Sequence, residues 1–189
     1  CLAPDYLLVQ KSIKEKLLEE IKNISIKQFA SDNGLVKDSD NYARIVNKKH
    51  FERLNSLLNE TTSFGDKIYM GGTTDVETNF IEPTVLTDVC PDSPVMSEEI
   101  FGPILPVMTF DNIDEVVKVI NNKPKPLGLY IFSSNRKNID FILNNTSAGG
   151  TSINDTILHY MHLNLPFGGI NNSGFGRSHG EAGFKAFSN

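Results

Sequence analysis

Apolar residues fall along the chain at two alternating spacings. Short runs read as strands: YLLVQ (6–10), KIYMGG (67–72), FIEPTVLTDV (80–89), ILPVMTF (104–110), PLGLYIF (126–132) and GGTSIN (149–154). Between them the apolar positions recur at helical spacing. Ile13, Leu17, Ile21 and Ile24 mark a first helix, opened by a capping box of Ser12 and Glu15. Phe51, Leu54, Leu57 and Leu58 mark a second, over NKKHFERLNSLL (47–58). Ile113, Val116, Val117 and Ile120 mark a third behind a cap of Asn112 and Glu115, and Ile139 and Leu143 the inner side of a fourth within 135–145. Gly71 and Gly72 predict a turn, and Pro83 an edge or bulge in the strand that holds it. Strands separated by helices of about ten residues predict βαβ units, hence an α/β fold with a mostly parallel, helix-covered sheet.

Composition adds exclusions. The chain has 189 residues, enough for one domain with a sizeable core, and a net charge of −5 with mixed signs. No basic stripe suits nucleic acid or an anionic membrane surface, and no apolar run approaches the roughly 20 residues that cross a bilayer. The two cysteines, Cys1 and Cys90, lie far apart without metal-ligand spacing, so neither a disulfide framework nor a metal site is expected; a reducing, cytoplasmic setting fits.

Three stretches concentrate chemistry. The chain opens CLAPDY, either because a processed chain happens to begin there or because the cut falls beside a reactive residue. PVMSEEIFGPILPV sets two carboxylates, Glu98 and Glu99, before Phe101 and a Gly-Pro turn. That stretch is either a solvated acidic turn or a place where one carboxylate turns inward to receive hydroxyl hydrogen bonds beside a flat aromatic wall. From Leu165 to Phe184 the chain is dense in glycine, with Phe167, Phe175 and Phe184 interspersed. GGINNSG departs from both GxGxxG and GxxxxGK[ST], so a tightly packed irregular loop is expected there and not a phosphate cradle. His159, His162 and His179 lack an acidic partner at a diagnostic spacing and read as surface or packing residues.

Taken together and in order, CLAPDY, EEIFGPILPV, the IND of SINDTILHYMH and PFGGINNSGFGRSHGEAGFKAFS resemble the aldehyde dehydrogenase superfamily, with CLAPDY and the HG after Arg177 similar to its class 3 branch of fatty and aromatic aldehyde dehydrogenases. The likeness covers essentially the whole chain. It implies a Rossmann-like catalytic domain and NAD(P)-dependent oxidation of aldehydes to carboxylic acids, with NAD or NADP as cofactor. Cys1 matches the nucleophile, Glu99 the glutamate that holds the nicotinamide ribose hydroxyls, Phe101 the aromatic beside the nicotinamide, and Phe167 a substrate-pocket aromatic. Ile157, with Asn154 and His159, lies in the segment that approaches the active site in that branch.

The resemblance also implies that residues 1–189 form a partial catalytic domain starting at its nucleophile. The base glutamate, the oxyanion asparagine and the cofactor-binding domain would precede Cys1, and an oligomerisation strand would follow residue 189. Such a piece alone is expected to be inactive, and its parent to be a homodimer. Two other functions compete: a CoA-acylating dehydrogenase, against which the EEIFGP and PFGG pair argues, and a non-catalytic interaction module that keeps the motifs as fold determinants.

Overall fold

The computed structural model of the protein describes residues 2–188. The chain divides into two compact units: Pro4–Asp111, and the stretch from Asn112 onward together with the chain's start through Ala3.

In the first unit, strand β1 (Leu7–Gln10) leads through a 3-10 turn at Lys11–Ile13 into helix α1 (Lys14–Phe29). Helix α2 (Lys48–Phe64) follows, then β2 (Lys67–Met70), a small antiparallel pair β3 (Thr74–Asp75) and β4 (Phe80–Ile81), β5 (Thr84–Thr87), and β6 (Ile104–Phe110). The main sheet runs β1-β6-β5-β2. β1, β6 and β5 are parallel and β2 joins antiparallel, so the α/β, mostly parallel expectation holds. Strand β5 is buried at all four positions, which explains its unbroken TVLT reading: a strand covered on both faces needs no polar alternation. Val9, Val85 and Val107 from three neighbouring strands meet Leu18 of α1 in a common core, with Leu17 and Ile21 packed at its edge.

Helix α2 follows its pattern. Phe51, Leu54, Leu57 and Leu58 are all buried, and the Asn47 side chain caps the helix by accepting from the His50 N–H at 3.0 Å. Helix α1 departs from its pattern. The 3-10 turn occupies residues 11–13, so Ser12 is not an N-cap, and Ile13 at the helix start receives no side-chain cap bond. Leu18 becomes the buried centre at 1% exposure, while Ile13 and Ile24 stand 52% and 58% exposed. With 3.6 residues per turn, Leu18 draws the buried arc to one side of Leu17 and Ile21, leaving 13 and 24 on the opposite fringe. Pro83 does more than edge its strand: it breaks the run into β4 and β5.

In the second unit, α3 (Ile113–Asn121) is followed by β7 (Gly128–Ile131), α4 (Arg136–Asn145) and β8 (Gly150–Ile153), a parallel βαβ arrangement with Gly128 opposite Gly150 and Tyr130 opposite Ser152. The Glu115 carboxylate accepts from the Asn112 N–H at 3.3 Å, as the capping pattern at α3 predicts. In α4, Ile139 and Ile142 are buried while Leu143 stands 38% exposed, so the inward pair is spaced by three and not four. Two short helices were not anticipated, α5 (Leu158–Met161) and α6 (Gly180–Ala186).

Among the described residues, no helix is long and apolar enough to cross a membrane.

Candidate active site

In the first unit the EEIFGP turn enters β6, and its backbone is held from three sides. The Asp5 carboxylate, from the APDY segment just before β1, accepts from the Ile100 N–H at 2.9 Å. Arg53 of α2 donates to the Ile100 carbonyl and pairs with Glu98 at 2.9 Å. Ile100 is itself buried, and Gly102 lies against Leu54 so closely that a Cβ there would come within 2.6 Å of both Leu54 methyls. With these anchors the turn bends sharply. Phe101 takes φ 47, a left-handed conformation costly for a bulky side chain, and its ring stands 61% exposed. Glu99 is exposed on the same turn.

Of the two readings of this stretch, the solvated acidic turn is the one seen in this structure. Glu98 is spent on Arg53, and Glu99 points into solvent. An exposed carboxylate retains its lone pairs for the hydroxyls of a ligand, and the neighbouring ring offers a flat apolar face. The turn thus presents an acceptor and an aromatic face side by side.

In the second unit, Tyr130 and His159 stand over a floor of two glycines. A Cβ at Gly128 would lie 3.3 Å from the Tyr130 hydroxyl, and one at Gly150 would lie 2.6 Å from the His159 ring. The Ser152 hydroxyl meets His159 Nδ1 at 2.9 Å. Burial holds the His159 pKa below its ordinary value, so the imidazole is neutral at neutral pH. Phe167 packs on His159 with ring centroids 5.6 Å apart, meets Tyr160 edge-on at 5.0 Å and stacks on His179 at 5.9 Å. His159 and His179 thus serve as rings in an aromatic cluster, while His162 is exposed.

The segment above this cluster is strained. Ile157 adopts φ 65 as the residue before α5, unusual for a β-branched side chain, and Asn154 adopts φ 57. Asn154 holds the loop after β7, accepting from the Ser133 N–H at 2.9 Å and donating to the Ser133 carbonyl at 3.1 Å. The glycine-dense loop is packed backbone to backbone: Phe167 bridges Ser178, Arg177 donates to the Gly169 carbonyl, and a Cβ at Gly169 would fall 2.0 Å from the Ser173 carbonyl oxygen. The expected tight packing therefore holds around Gly168 and Gly169 and not along the whole stretch, since Phe175 and Phe184 stand 100% and 74% exposed and a Cβ at Gly176 would meet nothing.

Glu99 and Phe101 thus share one turn, and Phe167 and His159 share one cluster with Ile157 beside it. Cys1 lies outside the described residues. Sequence reasoning missed Asp5, Arg53 and Tyr130. Among the described residues no group of three potential ligands gathers to hold a metal ion.

A model of the aldehyde dehydrogenase family matches residues 1–189. The chain is 47% identical over 188 residues to aldehyde dehydrogenase family 3 member A2 of Rattus norvegicus, covering 100% of this chain and 37% of that protein. It is 44% identical over 187 residues to 4,4'-diaponeurosporen-aldehyde dehydrogenase of Staphylococcus aureus, covering 99% of this chain and 39% of that one. Among solved structures, a substrate-bound state of Staphylococcus aureus AldH superposes with a TM-score of 0.90 at 42% identity, over 98% of this chain and 39% of that chain. An NAD-dependent aldehyde dehydrogenase from Sinorhizobium meliloti superposes with a TM-score of 0.87 at 30% identity, over 100% of this chain and 37% of that chain. The chain spans about two fifths of the length of these relatives.

Proposed function

Since the chain belongs to the aldehyde dehydrogenase family, we propose that it supplies the nucleophile and the nicotinamide-facing surface of an NAD(P)-dependent enzyme that oxidises aldehydes to carboxylic acids. The observation that carries this reading is the EEIFGP turn, which is pinned by Asp5 and Arg53 and presents Glu99 and Phe101 outward.

The Cys1 thiolate attacks the aldehyde carbonyl and forms a thiohemiacetal. A bound NAD(P)+ supplies the hydride acceptor that lets this adduct become a thioester. Water then releases the acid and returns the thiol. Glu99 accepts the ribose hydroxyls, and Phe101 offers its ring to the nicotinamide. Phe167 and Ile157 give apolar surface to the aldehyde tail, beside a neutral His159 that places no charge there. In a protein of the relatives' length, the base that activates water and the groups that bind the adenosine end come from outside these 189 residues. A homodimer is the assembly expected of it, as in the class 3 branch that the sequence resembles.

The test is Cys1→Ser in the full-length protein, assayed by aldehyde-dependent NAD(P)H formation. Loss of turnover with retained cofactor binding is expected; a variant that still oxidises aldehydes at the wild-type rate would sink the reading.

A further inference from the structure

We infer that Tyr130 is a positioning residue for the nucleophile, holding the backbone next to Cys1 through its phenol; this rests on the reading of Cys1 as the nucleophile. The Tyr130 hydroxyl donates to the Leu2 carbonyl at 2.8 Å, across 128 residues of sequence. Leu2 is the immediate neighbour of Cys1. The ring of the same side chain lies 5.8 Å from that of His159, two residues beyond Ile157, the residue in the left-handed conformation before α5. One side chain therefore ties the start of the chain to the strained segment next to the aromatic cluster.

Three features serve that tie. Tyr130 lies on β7, a strand paired in register with β8, so its Cα is fixed by a ladder and not by a loop. Gly128, two residues earlier on the same face, leaves the phenol its room, since a Cβ there would crowd the hydroxyl at 3.3 Å. His159 closes the other side, its ring 5.8 Å from that of Tyr130 and its Nδ1 held by Ser152. Burial also raises the phenol's pKa above its ordinary value, so the group remains a donor. A nucleophile must be held close to its attack geometry, and small misplacements are costly in rate. The Leu2 carbonyl is the nearest described acceptor to that nucleophile along the chain, and Tyr130 fixes it.

The experiment compares wild type, Tyr130→Phe and Cys1→Ser in the full-length protein, measuring kcat, both KM values, and the pH dependence of thiol alkylation by iodoacetamide. For Tyr130→Phe, kcat should fall about tenfold, with aldehyde and cofactor KM within about twofold and the alkylation midpoint unchanged, because geometry is lost and not thiolate character. Wild-type kcat in Tyr130→Phe would overturn the inference, as would a loss of kcat matched by a shifted alkylation midpoint. Should Tyr130→Phe fail to fold, Gly128→Ala replaces it: crowding of the phenol should lower kcat in the same pattern, and an unchanged kcat would overturn the inference. Activity surviving in Cys1→Ser would instead remove the underlying reading, whatever Tyr130 does.

Discussion

The Asp5 carboxylate and the Ile100 N–H meet at 2.9 Å, joining the segment before β1 to the turn before β6 across 95 residues. Both segments belong to the motifs that carry the family resemblance. Asp5 in APDY is thus a structural partner of EEIFGP, and its charge stiffens the turn that displays Glu99 and Phe101. Asp5→Ala should lower unfolding stability by about 1–3 kcal/mol, because a half-buried N–H loses a charge-assisted acceptor. It should also weaken NAD(P) binding, while Asp5→Asn retains an acceptor and falls between. Thermal unfolding and cofactor titration on the three proteins check the order.

Gly102 and Leu54 should behave as a coupled pair. Leu54 is fully buried, and a methyl at 102 would press on both of its terminal carbons. Gly102→Ala is expected to destabilise by about 1–3 kcal/mol through overpacking, and Leu54→Ala by about 2–5 kcal/mol through the cavity it leaves. In the double variant the new methyl enters that cavity, so the combined loss should be smaller than the sum by about 1 kcal/mol or more. Simple additivity in denaturant unfolding would contradict the contact.

His159 gives a pH signature. Its folded pKa is depressed by burial, so below the unfolded value of about 6.5 the unfolded chain takes up a proton that the folded chain refuses. Stability from this group is complete above that pH and is lost as pH falls toward the folded pKa. Urea midpoints measured from pH 8 to 5 should therefore decline more steeply for wild type than for His159→Gln. Parallel curves would show that the ring titrates alike in both states.

Glu99 should separate binding from folding. It is exposed, so Glu99→Gln should leave the unfolding temperature nearly unchanged, within about 0.5 kcal/mol of wild-type stability. If the carboxylate receives ribose hydroxyls, losing its charge removes about 1.5 kcal/mol or more, and the cofactor KM rises about tenfold. An unchanged cofactor KM would withdraw Glu99 from the cofactor surface.

Legibility in the sequence followed the range of the interactions. Helix α2 was readable because Phe51, Leu54, Leu57 and Leu58 repeat at a period that one buried stripe imposes locally. Helix α1 was readable as a helix but not in its facing, since the 3-10 turn ahead of it reset the register and Leu18 was chosen by valines on three strands. The turn holding Glu99 and Phe101 was visible as a motif, whereas its anchors were not: Asp5 and Arg53 reach Ile100 from 95 and 47 residues away. Tyr130 gave no signal at all. Within LGLYIF it reads as an ordinary strand aromatic, and only the fold brings it to the Leu2 carbonyl.

The left-handed backbone at Phe101 and Ile157 places side chains where glycine would sit without strain. Glycine would adopt either conformation without the roughly 1–3 kcal/mol of strain that a side chain there incurs. A population of variants screened for folding alone should therefore drift toward glycine at both sites. Screened for turnover, it should hold an aromatic at 101 and an aliphatic at 157. The divergence between the two lineages would measure, residue by residue, how much thermal robustness the molecule gives up to keep those side chains in place.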